Sequence, residues 1–136
     1  CLQHQDFEDF YIKRRYNEGE SHAYVCGVIH EFITEQMKAK AELIATRDAD
    51  IVFFAHGQKW AIEVETGTVY KKSQVRLRDK VDLLEKRYGN CWFFVMTNKH
   101  DLSKYKKFGK AVPRKGTFPL IRKIFDGKFE PKNVHP

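Results

Sequence analysis

The sequence predicts a single α/β domain, a central mixed sheet with helices on both faces. Three observations carry this. The runs "DIVFFA" (50–55) and "KWAIEVE" (59–65) have the length, branching and aromatic content of strands, and "HGQK" between them holds the glycine a tight hairpin wants. A helical stripe over 71–88 comes next, followed by "CWFFVMTN" (91–98), apolar on both faces like a central strand. A strand–helix–strand unit after a hairpin puts parallel pairing beside antiparallel pairing.

The elements follow in order. Residues 1–20 read as an irregular or weakly helical N-terminal extension, with "IKRRYNEGE" an exposed connection. Ser21 stands where an N-cap is expected, opening a helix through "HAYVCGVIHEFITEQMKAK". Its apolar face is Val25, Val28, Ile29, Phe32 and Gln36. "ELIAT" (42–46) reads as a short strand before the hairpin. In the helix over 71–88, Leu77, Val81, Leu84 and Tyr88 recur at i, i+4, i+7 and i+11, and Gly89 ends it. "DLSKYKKFG" suggests a short helix beginning at Asp101 or Ser103, "KAVPRKG" a turn-rich connection, and "FPLIRKIF" a last helix from near Pro119. The domain therefore spans 21–128, and 129–136 is a polar tail expected to fray.

Composition narrows the class. A chain of 136 residues, 42% apolar and 14% aromatic, can build one real core. No run of about 18 apolar residues exists, so no membrane helix is expected. The acidic start lacks an apolar signal core, and the first residue is not Met, so an excised domain or processed chain of a larger protein is expected. Cys1, Cys26 and Cys91 are far apart, with no C-x-x-C pair, which argues against a structural zinc site. Cys26 and Cys91 read as small buried hydrophobes of a reducing, cytoplasmic compartment. The formal charge of +7 favours a polyanionic partner, chiefly nucleic acid; a soluble protein that is merely basic is the alternative. The basic side chains gather in "YKKSQVRLRDK" and "NKHDLSKYKKFGKAVPRKG", as on a face that tracks DNA.

Asp50, Glu63 and Glu65 are the anomaly, acids in or beside two apolar strands. If the turn is "GQ" or "HGQK", paired positions sum to 115 and Asp50 faces Glu65. All three acids then project from one face; a three-residue loop would put Asp50 on the other. At about 5 Å and an effective dielectric of about 20, each like-charge pair costs on the order of 3 kcal/mol. A divalent cation or a nearby Lys or Arg must offset this. Hard oxygen ligands suit Mg²⁺ or Mn²⁺, which grip a phosphate oxygen and activate water. The plainer alternative makes Asp50 a turn residue and the glutamates part of a solvated edge.

"Asp50-Ile-Val … Ala-Ile-Glu63-Val-Glu65" resembles the signature of the PD-(D/E)XK nuclease superfamily, and the element order resembles its restriction-endonuclease-like αβββαβ core. The likeness covers roughly residues 21–98. It implies a metal-dependent DNA endonuclease or phosphodiesterase, with Asp50, Glu63 and the Val64 carbonyl on Mg²⁺ (or Mn²⁺). Ala49 stands where the family often has Pro, and Glu65 where it usually has Lys. Glu65 can accept a proton or bind a second metal, and some restriction-type members carry Glu there; others have lost the site and only bind. A migrated Lys71 or Lys72 is another way to supply the cation. The family often has an acid on its first helix, for which Glu31 and Glu35 are candidates and Glu35 is preferred. "His22 … Asp50 … Glu63-Val-Glu65-Thr-Gly" also has a weaker likeness to replication-relaxation and mobilisation proteins of mobile elements. A packed, hydrogen-bonded His22 is the plainer reading.

On the helix from residue 71, Gln74 lies one turn before Leu77 and is expected to reach toward the core or the site. Lys71, Lys72, Arg76, Arg78 and Lys80 flank it and, with the helix N-terminus, can grip phosphates. The alternative is a solvated helix face, as for Lys86 and Arg87. The expected partner is DNA, with no membrane; other domains of a larger protein and a second copy of the chain are further candidates. The second functional reading is a catalytically inactive DNA-binding module of the same fold, and a third is a protein-interaction domain.

Overall fold

The computed structural model describes residues 18–44 and 49–129. The expected N-terminal extension and C-terminal tail thus fall almost wholly outside the described residues, as do 45 and 46 of the first expected strand. Helix α1 is Glu18–Glu31 and runs on through a π-helical turn, Phe32–Gln36. Strand β1 (Ala41–Leu43) leads to the hairpin of β2 (Ile51–Ala55) and β3 (Gln58–Glu65). Short α2 (Thr68–Lys72) and long α3 (Gln74–Tyr88) cross over to β4 (Trp92–Met96). Then come α4 (Leu102–Lys106), β5 (Ala111–Pro113) and α5 (Arg114–Phe125).

The sheet has five strands in the order β1-β2-β3-β4-β5. The first three pair antiparallel, and β3, β4 and β5 pair parallel. This is the expected α/β class with a mixed sheet flanked by helices. Side-chain alternation divides it into two cores. Ile51, Phe53, Trp60, Ile62, Val64, Phe93 and Val95 face one layer, where α1 and α5 bring Ile29, Phe32, Ile33, Ile121 and Ile124. Val52, Ala61, Phe94 and Met96 face the other, where α3 brings Leu77, Val81, Leu84 and Tyr88.

Several expectations change in detail. Ser21 lies inside α1 and is no cap; the helix starts a turn earlier, at Glu18. The wider π turn carries an extra residue, which rotates the stripe, burying Ile33 and leaving Gln36 exposed. The helix expected over 71–88 is two helices broken at Ser73, whose backbone is extended (φ −165°) and whose hydroxyl accepts from Arg76 N–H at 3.2 Å. "AVP" is a strand, not a turn. The last helix starts at Arg114, with exposed Pro119 in its second turn; burial of Thr117, Leu120 and Ile121 holds it despite the missing N–H.

The turn is His56-Gly57, both with positive φ (53° and 73°), so paired positions sum to 113. Asp50 therefore falls opposite Glu63 rather than Glu65. A two-residue displacement preserves the face, so Glu63 and Glu65 share one side of the sheet, and Asp50, just before β2, meets Glu63 at its tip. His56 Nε2–H donates to the Phe125 carbonyl at 2.6 Å, pinning the hairpin tip to the end of α5.

Candidate functional site

The site forms where β2 begins and β3 ends. Asp50 precedes β2 at the tip of the sheet, so both layers reach it. From α1, His22 Nε2 lies 3.1 Å from Asp50 Oδ1. Along β3, the Val64 N–H donates to Asp50 Oδ2 at 2.8 Å. Asp50 in turn donates its own N–H to Glu63 Oε1 at 3.2 Å. An extended residue presents its N–H and C=O to the same side, so the Val64 carbonyl also faces the Asp50 edge.

Glu63 and Glu65 are buried, 5% and 3% exposed, on the α3 side of the sheet. Lys80 of α3 lies between them, its Nζ 2.8 Å from Glu63 Oε2 and 2.7 Å from Glu65 Oε2. Lys80 flanks the Leu77–Val81–Leu84 stripe, which brings its stem against the sheet and its ammonium to the acids. The other oxygen of Glu65 accepts from Tyr105 Oη–H at 3.0 Å. The hydroxyl of Tyr105 is itself an acceptor for the Tyr70 N–H at 3.3 Å. Behind this, Cys26 Sγ is 3.9 Å from His22 Nδ1, one helical turn along α1.

Charge is unevenly shared among these groups. Burial, then the neighbouring Asp50 carboxylate, push Glu63 up to about 9 against the pull of Lys80. Burial also works against ionised Asp50, but hydrogen bonds from His22, Glu63 and the Val64 N–H outweigh it and hold it below its ordinary range. The hydrogen bond to Asp50 pushes His22 up to about 10. Burial disfavours the Lys80 ammonium, yet Glu63 and Glu65 more than offset it and hold the ammonium more firmly charged than usual. Burial, then Glu65, keep the Tyr105 phenol protonated well past its ordinary range. The Asp50–Glu63 pair thus retains a proton at neutral pH. Two converging carboxyls and a nearby backbone carbonyl are oxygen donors, the type a hard divalent cation takes.

This fixes a pH dependence. The unfolded chain releases the Glu63 proton near 4.5 and the folded chain near 9. Stability from this group is whole below pH 4.5 and is lost as pH climbs toward 9. His22 acts in the same direction between 6.5 and about 10, with less weight because 35% of its side chain is exposed. Asp50 acts oppositely: its contribution is present above its ordinary 3.8 and is lost only as pH falls below that. The urea midpoint is expected to fall steadily from pH 5 to pH 9. Glu63→Gln, with no proton to lose, flattens that decline; an equally steep decline in the variant would assign the proton elsewhere.

Of the residues singled out in the sequence, Asp50, Glu63, Val64, Glu65 and His22 come together. Glu35 does not. It is exposed, thirteen residues beyond His22 on the same helical segment, about 20 Å along the axis. Gln74 is exposed as well, since the whole first turn of α3, Gln74–Arg76, precedes the buried stripe. Lys71 and Lys72 face solvent on α2, so the cation beside Glu65 comes from Lys80, which is turned inward rather than toward a phosphate. Arg76 and Arg78 are exposed, and Arg78 lies 4.8 Å over the Phe108 ring. Tyr70 packs on Tyr105 and Phe108, and Lys104 lies 5.5 Å over Tyr70. These contacts place Arg78 of α3 and Lys104 of α4 beside the Tyr70–Tyr105–Phe108 cluster, and Tyr105 touches Glu65. Sequence reasoning missed Tyr105; its one signal was a lone tyrosine among lysines in "SKYKK".

Among the described residues, no helix is long and apolar enough to cross a membrane. No family model, curated protein or solved structure matches the chain.

Proposed function

We propose that this chain is a metal-dependent phosphodiesterase acting on DNA, an E-x-E variant of the PD-(D/E)XK plan. One observation carries the reading: the lysine absent from position 65 is supplied by Lys80, whose ammonium bridges Glu63 and Glu65. A bound Mg²⁺ or Mn²⁺ supplies Lewis acidity and a more acidic water. Asp50, Glu63 and the Val64 carbonyl would hold it. His22 and the Val64 N–H orient Asp50 through separate oxygens. Lys80 holds Glu63 and Glu65 in place and offsets their charge, so that Glu63 stays aimed at the position the metal would take. Both oxygens of Glu65 are engaged, so it acts here as the anchor of Lys80. Lys71, Lys72, Gln74, Arg76 and Arg78, exposed on the adjoining elements, hold the phosphate backbone without reading sequence.

Nicking of supercoiled plasmid tests this. Wild type is expected to nick with Mg²⁺ or Mn²⁺ and not with chelator. Glu63→Ala and Asp50→Asn each lower the rate by at least about 10²-fold. Equal cleavage by wild type and Glu63→Ala would sink the metal site. Replacing Lys71, Lys72 and Arg76 with Gln lowers the slope of log affinity against log salt by roughly one for each phosphate no longer neutralised. The inactive DNA-binding module stays the second reading, because the Lys80–Glu63–Glu65–Tyr105 network is complete without a metal. Salt-dependent binding with no cleavage by wild type selects it.

A further inference from the structure

His22 and Cys26 are four residues apart on α1 and so face the same way, toward the tip of the sheet. One ligand atom from each of His22, Cys26 and Asp50 lies within 4.8 Å of the others. A tetrahedral ion with bonds of about 2.0–2.3 Å holds its ligand atoms roughly 3.3–3.6 Å apart, so closing this triangle takes shifts of about 1 Å, within reach of side-chain rotation. Asp50 is already oriented by the Val64 N–H on its second oxygen, as metal-binding carboxylates commonly are. His22 and Asp50 keep 35% and 19% of their side chains exposed, which leaves a way in for an ion and its water.

The thiol decides the class of ion. Mg²⁺ takes oxygen donors, whereas sulfur with imidazole and one carboxylate suits Zn²⁺ and its neighbours. The same three residue types also make a nucleophilic triad, but reactive thiols sit in partly exposed, electropositive places. Cys26 is buried, and burial pushes its thiol up despite His22. Three protein ligands and one open position, by contrast, match a zinc-type centre.

We propose that Cys26, His22 and Asp50 form a binding site for a thiolate-seeking transition metal of the Zn²⁺ class. It differs in donors from the hard-cation position of Asp50 and Glu63 and shares Asp50 with it. Zn²⁺ bound there withdraws Asp50 and so inhibits Mg²⁺-dependent cleavage. Only this consequence rests on the nuclease reading; the binding itself does not.

Co²⁺ titration of the full chain tests the site. Wild type is expected to develop thiolate-to-cobalt charge-transfer absorption that saturates at one ion per chain. Cys26→Ser loses that absorption and His22→Ala weakens binding at least about tenfold, both with wild-type circular dichroism. Cys1→Ser and Cys91→Ser retain it. Zn²⁺ abolishes the signal, whereas Mg²⁺, which competes through Asp50 alone, raises the Co²⁺ concentration needed and leaves the absorption at saturation. No charge-transfer absorption in wild type, or absorption that survives Cys26→Ser, overturns the proposal. The spectrum without any nicking leaves this site standing and removes the nuclease reading; nicking without the spectrum does the reverse.

Discussion

Lys80→Met is expected to destabilise the protein by about 3 kcal/mol and, on the proposed nuclease reading, to abolish metal-dependent nicking. The variant keeps the aliphatic stem and removes the ammonium, leaving Glu63 without its donor and the buried Glu65 carboxylate without its counter-charge. Their side chains are only 6% and 4% exposed, so water cannot take over the lysine's role. Breaking a buried ion pair from one side costs roughly 3–5 kcal/mol, and the low end applies because Lys80 is itself 31% exposed. Urea unfolding at pH 7 reads the loss as a lower midpoint at unchanged slope. Adding Glu63→Gln and Glu65→Gln to Lys80→Met removes the stranded Glu65 carboxylate and the ionisable Glu63 beside it, and should recover most of the stability, while nicking stays absent. If Lys80→Met unfolds at the wild-type midpoint, the three-way ion contact is not a structural element.

Gly67→Ala is expected to cost about as much, from a residue that bears no functional group. Gly67 has φ +95°, and a Cβ there would lie 2.5 Å from Asp101 Oδ2 and 2.9 Å from its Cγ. The backbone term is roughly 1–2 kcal/mol for an L residue held in that region. The contact adds more, because Asp101 is buried and braced by Lys104 Nζ at 3.6 Å. A total of about 3 kcal/mol lowers the melting temperature on the order of 10 °C in a domain of this size. The strain reaches the site: Asp101 precedes α4, and Tyr105 lies one turn later with its hydroxyl on Glu65. The double variant Gly67→Ala/Asp101→Ala separates the terms, regaining the contact part and keeping the backbone part. A Gly67→Ala protein that melts with wild type would mean that α4 shifts at no cost.

The strands could be read from the sequence because their side chains advertise burial. "IVFFA" and "WFFVM" have few polar atoms to satisfy, and nothing else suits them. The acids could be read for the same reason, as exceptions in apolar surroundings. Their partners could not. Lysine on a helix reads as solvent-facing, and only the depth of Glu63 and Glu65 makes an inward Lys80 stable. Cys26 read as a small hydrophobe because sequence shows neither the turn that stacks it on His22 nor the strand tip that brings Asp50 to both. The register slipped by two because a left-handed conformation was credited to Gly57 alone, whereas His56 adopts it too. Strand β5 is three residues long and ends in proline, so only its parallel partner β4 makes it a strand.

Lys80 has one more consequence. A site whose acids are balanced only by a captured ion leaves its chain unfolded until the ion arrives. Here the counter-charge to Glu63 and Glu65 is covalently part of α3 and arrives whenever that helix docks on the sheet. Folding of this site therefore needs no captured ion, and on the proposed reading a metal would govern activity without governing the fold.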